Sequence, residues 1–223
     1  MKGIYMNLDN IKAALFDLDG TLIDTEKYYI QCWKEASKLC GFEIEMDKVY
    51  MLRSCEYELG TELFYKWFNN KDAYRIVRTK RKELMNELLR SEKIEAKKGV
   101  KEVVDFFNKE GISVAVVTAS AVDVADKYMK QAGIRDYFDT IISAKDVKRG
   151  KPFPYVYEFA AGYLGLKPSE CIAFEDSPNG MKSAHDAGCH TVFIPDATPF
   201  DDTVSEYTDE TYETLSEFVN KHN

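Results

Sequence analysis

Residues 13–21 constrain the fold and the chemistry of this chain more than any other stretch. The apolar run from Ala13 to Phe16 leads into two aspartates, Asp17 and Asp19, and a Gly-Thr turn follows them. Because successive side chains of a strand point to opposite faces, aspartates two positions apart point the same way. We predict a buried strand that presents two carboxylates at its carboxyl end, where they can hold a divalent cation and attack phosphorus. A strand that ends in an ordinary Asp-Gly turn fits the same residues.

Length and charge narrow the classes of protein to which the chain can belong. With 223 residues it can bury a sizeable core, as one domain or as one domain with an insertion. Its formal net charge of -8 argues against binding to nucleic acids or anionic membranes, which need clustered lysine and arginine. A phosphate site in so acidic a chain needs local positive charge, from a metal ion or a few lysines.

Cysteine usage and apolar patterning favour a cytoplasmic protein. The five cysteines lack CxxC spacing, which suits small buried residues in a reducing compartment better than disulfides or a zinc site. The first residues show no apolar segment with basic flanks, and no apolar run approaches the ~18 residues that a membrane span needs. We therefore expect a cytoplasmic chain without a signal peptide or a membrane span.

Short apolar runs alternate with helical patterns from about residue 99 onward, which predicts an α/β fold with a parallel sheet flanked by helices. The acidic tail from Asp201 to Asn223 is expected to end in a surface helix. Beyond the first strand, strands are predicted at 111–118, 140–143, 171–175 and 190–194, and helices at about 100–110, 121–132, 154–164 and 178–187.

Residues 26–95 interrupt this alternation, because they carry helical spacing with little strand signal. Within them, Met85 is expected to face a helical core while Arg78 and Lys82 stay in solvent. We therefore predict an inserted all-helical domain. The predicted boundaries assign residues 1–24 and 97–223 to the α/β core and residues 25–96 to the helical insertion.

The first two motifs at predicted strand ends suggest roles in phosphoryl transfer. Asp17 is predicted to be the nucleophile and Asp19 the general acid and base, because an attacking aspartate splits one difficult displacement into two easier steps. Thr118 ends a second buried strand just before a helix. Its hydroxyl, with the N–H of Ala119, suits a cradle for phosphate oxygens. Simple capping of the following helix by Thr118 or Ser120 explains the same residues.

Lys151 forms the third motif, next to Pro152. The prolines around it restrict the backbone, so the ammonium is held in place and can neutralise both the Asp17 carboxylate and phosphoryl oxygens. Most lysines, in contrast, are solvated surface charges.

Two acids at the end of the 171–175 strand form the fourth motif. Asp176 is predicted to hold Mg²⁺ together with the Asp17 carboxylate and the Asp19 backbone carbonyl, since Mg²⁺ prefers oxygen ligands. Glu175 is predicted to orient the waters of that ion. Helix capping by Asp176 or Ser177, ahead of Pro178, is a compatible second role. All four motifs follow parallel strands at their carboxyl ends, where open α/β sheets bind ligands.

In their order along the chain, these motifs resemble those of the haloacid dehalogenase superfamily. The helical insertion after the first motif is similar to the small helical cap of that superfamily's β-phosphoglucomutase-like subgroup. The resemblance implies a Rossmann-like core, Mg²⁺ as cofactor, and phosphoryl transfer through an aspartyl-phosphate. The residues that carry it are Asp17-Leu18-Asp19-Gly20-Thr21, Thr118, Lys151-Pro152 and Glu175-Asp176-Ser177.

Two departures from that subgroup favour a phosphatase over a sugar-phosphate mutase. Its mutases carry a histidine four residues after the hinge threonine, where this chain has Tyr29, and a phosphate-binding arginine near the position of Tyr57. Arg53 is either a ligand for a substrate phosphate or hydroxyl, or an exposed helix residue. We expect a phosphatase for a small phosphorylated metabolite, such as a sugar or polyol phosphate, with Tyr29, Arg53 and Tyr57 as candidate substrate contacts from the cap.

Two other functions remain open at this stage. One is a β-phosphoglucomutase-like mutase, and the other is a regulatory protein that binds a phosphorylated ligand without turnover. All three functions involve a small phosphorylated molecule and neither nucleic acid nor membrane. A cap within the same chain makes a monomer sufficient, so we expect a monomer.

Overall fold

The computed structural model describes residues 8–198 and 200–223, which form a parallel sheet covered by helices on both faces. The described strands are β1 Ala13–Phe16, β2 Ser113–Thr118, β3 Thr140–Ser143, β4 Cys171–Glu175, β5 His190–Phe193 and β6 Glu210–Thr211. They lie in the order β3-β2-β1-β4-β5-β6, and every neighbouring pair is parallel. The predicted α/β fold, a Rossmann-like sheet flanked by helices, is confirmed.

The helices of the described chain fall into two groups, before and after residue 99. The first group is α1 Glu26–Leu39, α2 Met46–Met51, α3 Tyr57–Phe68 and α4 Ala73–Leu88. The second group is α5 Val100–Lys109, α6 Val122–Ala132, α7 Tyr155–Tyr163, α8 Pro178–Ala187, α9 Asp202–Ser205 and α10 Leu215–His222. None of the helices in the described residues is both long and apolar enough to cross a membrane.

Both faces of β1 are buried, which explains why its sequence is apolar throughout rather than alternating. Phe16 stacks on Phe174 of β4 with ring centroids 4.6 Å apart, and Phe107 of α5 packs edge-on against both rings. Leu15 points to the other face and packs with residues of β2 and α7. The strand is therefore fixed from both sides, and so is the loop that follows it.

The strand order places the predicted site. From β1 the chain adds β2 and β3 on one side and β4 to β6 on the other, so the order reverses beside β1. Open parallel sheets bind ligands at the carboxyl edge beside such a reversal. The ends of β1, β2 and β4, which carry the predicted motifs, meet there.

Helices α1 to α4 pack around an apolar core of their own. Trp33, Phe64 and Tyr74 lie at its centre, and the Trp33 and Tyr74 rings stack with centroids 5.9 Å apart. Helices α1 and α4 lie side by side in this group. We call residues 26–88 the helical segment. The domain boundaries predicted at residues 25 and 96 stay a prediction.

The C-terminal tail ends in a helix, as predicted, and also contributes to the sheet and the core. It begins with α9, adds β6 to the sheet, and ends in α10, which packs on α5. Phe218 of α10 is fully buried, and its ring centroid lies 4.9 Å from that of Phe174. The spacing of Leu215, Phe218 and Val219 gives α10 one apolar face, which is buried in the main core.

The contact between α3 and α4 depends on a residue without a side chain. A Cβ atom at Gly60 of α3 would lie 2.6 Å from Cε2 of the buried Tyr74 ring. We expect Gly60→Ala to lower the free energy of unfolding by about 1–3 kcal/mol, because the added methyl group overlaps the buried ring and forces it to shift. Urea unfolding followed by tryptophan fluorescence measures the change.

Gly162→Ala is the matched control, because Gly162 is also helical and a Cβ there meets no atom of the described residues within 4 Å. The control is expected to change stability by less than about 1 kcal/mol, in the favourable direction. Equal stability of the two variants would contradict the tight α3–α4 contact.

Candidate active site

Lys151 lies at the centre of the site, and its side chain is fully buried. Its ammonium nitrogen lies 2.5 Å from Asp17 Oδ1, 2.5 Å from Glu175 Oε1 and 3.1 Å from the Val117 carbonyl oxygen. Because an ammonium has three N–H donors, all of them are used. Burial alone would lower the pKa of Lys151, but the two carboxylates outweigh burial and raise this pKa above its ordinary value. Lys151 is therefore a fixed positive charge.

The two carboxylates beside Lys151 come from neighbouring strands. The backbone N–H of Asp17 donates to the Phe174 carbonyl at 2.9 Å, which continues the β1–β4 ladder. Glu175 ends β4, and its Oε1 also accepts a hydrogen bond from Tyr157 at 2.6 Å. Burial, together with the Asp17 charge, raises the pKa of Glu175 to about 7. Burial also raises the pKa of Asp17, although Lys151 opposes that shift.

Asp176 is paired with an arginine from the helical segment. Arg53, in the α2–α3 connection, donates to Asp176 Oδ2, to the Thr198 hydroxyl and, at 2.9 Å, to Glu26 Oε2. Burial lowers the pKa of Arg53, but the Asp176 and Glu26 charges outweigh it and raise the pKa above its ordinary value. The Arg53 side chain is only 3 % exposed, which excludes the sequence-based alternative that Arg53 is an exposed helix residue.

Asp19 lies closer to solvent than Asp17 and is held by two hydroxyls. Thr25 donates to Asp19 Oδ1 at 2.6 Å, and Ser120 donates to Oδ2 at 3.2 Å. Burial and the neighbouring Asp17 charge raise the pKa of Asp19 to about 6. A carboxyl group with this pKa can carry or release a proton near neutral pH, as a general acid and base must.

The residues at the end of β2 form a turn and also border the candidate site. Thr118 is buried, and its hydroxyl oxygen accepts the backbone N–H of Ser120 at 3.0 Å, which closes a turn in the loop. The alternative that Thr118 or Ser120 caps α6 is wrong, because Ala121 is the N-cap and no side chain caps this helix. Ala119 and Ser120 line the cavity described below, beside Asp19. A cradle of backbone N–H groups at this point stays a prediction.

The acidic residues fit a divalent cation. Three buried oxygens, Asp17 Oδ2, Glu175 Oε2 and Asp176 Oδ1, have no hydrogen-bond partner within residues 8–198 and 200–223. One oxygen from each of these acids lies within 4.8 Å of the others. A buried acceptor without a partner costs free energy, and Mg²⁺ prefers such carboxylate oxygens. Asp176 can offer Oδ1 while Arg53 holds Oδ2.

Two glycines allow the carboxylates to come this close. Gly20 has a φ of +94°, and a Cβ there would lie 2.7 Å from Asp176 Cγ. Gly180, in the first turn of α8, faces the Glu175 carboxylate so closely that a Cβ would overlap it. Its N–H donates to the Ser177 hydroxyl at 3.1 Å, which caps α8. Each acid is thus positioned partly by a neighbour without a side chain.

The connection between α2 and α3 is fastened to the sheet at three places. Arg53 reaches Asp176 and Thr198, as described above. Glu56 accepts hydrogen bonds from Arg149 and, at 3.1 Å, from the Gly150 N–H. Asn179 of α8 donates to the Arg53 carbonyl at 2.7 Å. Sequence patterns do not reveal these contacts, because each joins residues about 90 or more positions apart.

A cavity of about 280 Å³ lies between the helical segment and the sheet edge. Asp19, Tyr29 and Arg53 line it, so two of the three predicted cap contacts reach it. Tyr57 is not among the described residues that line this cavity. The centroid of its ring instead lies 5.3 Å from that of the Tyr74 ring. Glu26 also lines the cavity and was not predicted.

Helix α4 contributes more to this cavity than its sequence pattern indicates. Arg78, Arg81 and Lys82 line it, together with Lys145 after β3. The prediction that Arg78 stays in solvent is wrong, because Arg78 is half-buried against the Tyr57 ring. Lys82 is exposed, as predicted, but lies in the cavity wall. The helical period separates inner from outer faces, but it does not tell which face borders a cavity.

Comparison with known proteins agrees with this arrangement. The sequence profile of the haloacid dehalogenase-like hydrolases matches residues 14–194. Hexitol phosphatase A of Escherichia coli is 33% identical over 190 residues, which is 84% of this chain and 86% of that protein. Fructose-1-phosphate phosphatase YqaB of E. coli is 27% identical over 183 residues, covering 82% of this chain and 95% of that protein.

Solved structures agree in fold. The β-phosphoglucomutase of Clostridium difficile superposes with a TM-score of 0.77 at 20% identity, covering 95% of this chain and 98% of that one. The sequence motifs, the fold and the family profile all indicate the same protein family. The chain belongs to the haloacid dehalogenase-like hydrolases.

Proposed function

We propose that this protein is a Mg²⁺-dependent phosphatase that hydrolyses a small sugar or polyol phosphate through an aspartyl-phosphate on Asp17. The main observation behind the proposal is the hydrogen bonding of the two oxygens of the Asp17 carboxylate. One oxygen is held by the Lys151 ammonium, and the other is buried without a hydrogen-bond partner in the described chain. Such a carboxylate is an oriented nucleophile whose repulsion of a phosphate is offset by a fixed cation. The names of the curated relatives support the substrate class.

The first half of the proposed reaction transfers the phosphoryl group to the enzyme. An Asp17 oxygen attacks phosphorus, and the bond from phosphorus to the sugar oxygen breaks. Asp19 gives its proton to that leaving oxygen, so the product leaves as an alcohol. The pKa of Asp19, about 6, keeps the protonated form populated near neutral pH.

The second half regenerates Asp17. Asp19, now a carboxylate, takes a proton from a water molecule, whose oxygen attacks phosphorus. The bond between phosphorus and Asp17 breaks, which releases inorganic phosphate and restores the Asp17 carboxylate. Asp19 ends the cycle protonated, as it began.

The groups around Asp17 and Asp19 are proposed to offset the charge of the phosphoryl group and to hold it in position. Lys151 offsets the negative charge that gathers around the phosphoryl group, and Thr118 with the Ala119 N–H orients its oxygens. Asp17, Asp176 and the Asp19 carbonyl would hold Mg²⁺, with Glu175 ordering its water shell. The bound ion supplies further charge neutralisation at the phosphoryl oxygens.

The helical segment is proposed to act as a cap, with the domain boundaries predicted from the sequence. Its α2–α3 connection bonds to the sheet edge through Arg53 and Glu56, which encloses the cavity and limits the entry of water. A cavity of about 280 Å³ suits a small metabolite and not a macromolecule. Since one chain supplies core and cap, the protein is proposed to work as a cytoplasmic monomer.

Release of inorganic phosphate from a panel of sugar and polyol phosphates tests the proposed reaction. We expect release with Mg²⁺ and none after chelation. Asp17→Asn is expected to lower kcat by at least roughly 10³-fold, because the nucleophile is lost while the side-chain shape is kept. Asp136→Asn, at an exposed aspartate, is the charge-matched control and is expected to keep full activity.

Two outcomes would contradict this proposal. Conversion of β-glucose 1-phosphate to an isomer without release of phosphate would indicate a mutase. Binding of phosphorylated ligands without turnover, equal in the wild type and Asp17→Asn, would indicate a regulatory binding protein.

The buried charge cluster makes a separate prediction about stability. Lys151→Met leaves Asp17 and Glu175 buried without their cation, so we expect a loss of about 3–5 kcal/mol in the free energy of unfolding at pH 8. The loss should shrink as the pH falls to 6. Even with Lys151 present, the folded-state pKa of Glu175 is raised to about 7, and removing Lys151, whose charge lowers this pKa, raises it further. The folded variant therefore takes up a proton first as the pH falls, and a neutral carboxyl needs no cation. Urea unfolding in the presence of chelator measures both values.

Lys130→Met provides the comparison, because it also removes an ion pair, from Lys130 to Asp126, but on the surface. That change is expected to cost less than about 1 kcal/mol at either pH. Similar losses in the two variants would contradict the central position given to Lys151.

A further inference from the structure

Four cationic side chains face the cavity without a carboxylate partner. They are Arg78, Arg81 and Lys82 of α4 and Lys145 after β3, and none of them forms an ion pair with an acid of the described chain. Cations on the outer side of α4 differ: Arg75 pairs with Asp72 and Lys80 with Glu83. In a chain with a net charge of -8, acids to pair the inner cations are not scarce.

The inner cations repel one another at some cost to the folded protein. Arg78 and Lys82 lie one turn apart on α4, and like charges at this spacing destabilise a helix by about 0.2–0.5 kcal/mol. The Arg78 charge is the largest cause of a lowered pKa at Lys82. Burial and then Arg78 lower the pKa of Lys145, although Glu58 and Glu56 oppose the shift. A bound anion would relieve this repulsion.

Arg81 connects this group to the catalytic end of the cavity. Its guanidinium lies 4.9 Å from the centre of the Tyr29 ring and 5.1 Å from that of Trp33. Its Nε is buried and has no hydrogen-bond partner in the described parts of the chain. The Arg81 charge is one of the causes that lower the pKa of Asp19, so Arg81 lies within electrostatic reach of the reacting groups.

The transferred phosphoryl group does not need these four cations. Lys151 stands beside Asp17 for that purpose, and all three of its N–H donors are directed at the base of the site. Arg53 is engaged by Asp176, Glu26 and Thr198. The three cations of α4 line the cavity from the helical segment, and Lys145 lines it from the loop after β3.

We propose that Arg78, Arg81, Lys82 and Lys145 form a second anion site that binds a carboxylate or phosphate at the end of the substrate remote from the transferred phosphoryl group. This inference rests on the proposed function, which places the transferred group at Asp17. The preferred substrates are then phosphorylated sugar acids or sugar bisphosphates rather than phosphates of neutral polyols. Guanidinium and ammonium groups form charge-assisted hydrogen bonds with either kind of anion.

Matched pairs of ligands test the second site by binding alone. Sorbitol 6-phosphate and 6-phosphogluconate differ in a terminal alcohol or carboxylate, and fructose 6-phosphate and fructose 1,6-bisphosphate differ in an alcohol or phosphate. Isothermal titration to the Asp17→Asn protein with Mg²⁺ measures each Kd without turnover. We expect the doubly anionic member of at least one pair to bind tenfold or more tightly, and the pair that responds tells carboxylate from phosphate.

Variants of the four cations test whether they cause the preference for the doubly anionic ligand. Lys82→Gln and Lys145→Gln change exposed side chains, so they are expected to keep the wild-type Tm while the Kd ratio falls at least threefold. Arg78→Gln should bring the ratio close to one. Arg75→Gln, on the outer face of α4, is the matched control and should keep the ratio.

Either of two results would overturn the second site. One is equal binding within both pairs, or no binding by either doubly anionic ligand. The other is a preference that survives Arg78→Gln, Lys82→Gln and Lys145→Gln alike. Phosphate release by the wild-type protein is measured separately, so a preference without turnover would refute the phosphatase and not the anion site.

Discussion

The site depends on the pairing of buried charges. Lys151 pairs with Asp17 and Glu175, and Arg53 pairs with Asp176 and Glu26, in surroundings where an unpaired ion would be strongly disfavoured. Neither cation belongs to a strand that carries the acids. Lys151 comes from the loop between β3 and α7, and Arg53 from the helical segment. The same pairs that make the acids tolerable therefore also fix these two segments on the sheet edge.

Charge in this protein is distributed unevenly, and the positive charges lie where the proposed reaction needs them. The chain as a whole is acidic, yet cations gather where phosphoryl oxygens and other anions are proposed to bind. At the base of the site each of the two cations already has two carboxylate partners. On the α4 side the cations stand without such partners among the described residues. The first arrangement suits a nucleophile that must meet phosphate, and the second suits recognition of a ligand.

The strand-end motifs could be predicted because they depend on short-range rules. The alternation of side chains places Asp17 and Asp19, and the carboxyl-edge rule for parallel sheets gathers Thr118, Lys151 and Asp176 around them. The fold class followed from the same alternation of strands and helices.

The remaining features depend on tertiary packing, which local patterns do not contain. The spacing of α4 separates two faces, but only the position of α4 over the sheet makes Arg78 a cavity residue. The tail reads as an acidic surface segment until α10 is placed on α5, where Phe218 enters the main core. The contact of Glu56 with Arg149 joins residues 93 positions apart, and no period along the chain encodes such a pair.

Gly20 and Gly180 have a consequence for how this site can change over time. Both positions take no part in the chemistry, yet a single added methyl group at either one would collide with a carboxylate of the site. The acids themselves have isosteric replacements, such as asparagine or glutamine, that keep the space filled. The glycines have none. An isosteric change at an acid removes its chemistry but keeps the packing of the site, whereas any side chain added at Gly20 or Gly180 displaces the acids themselves.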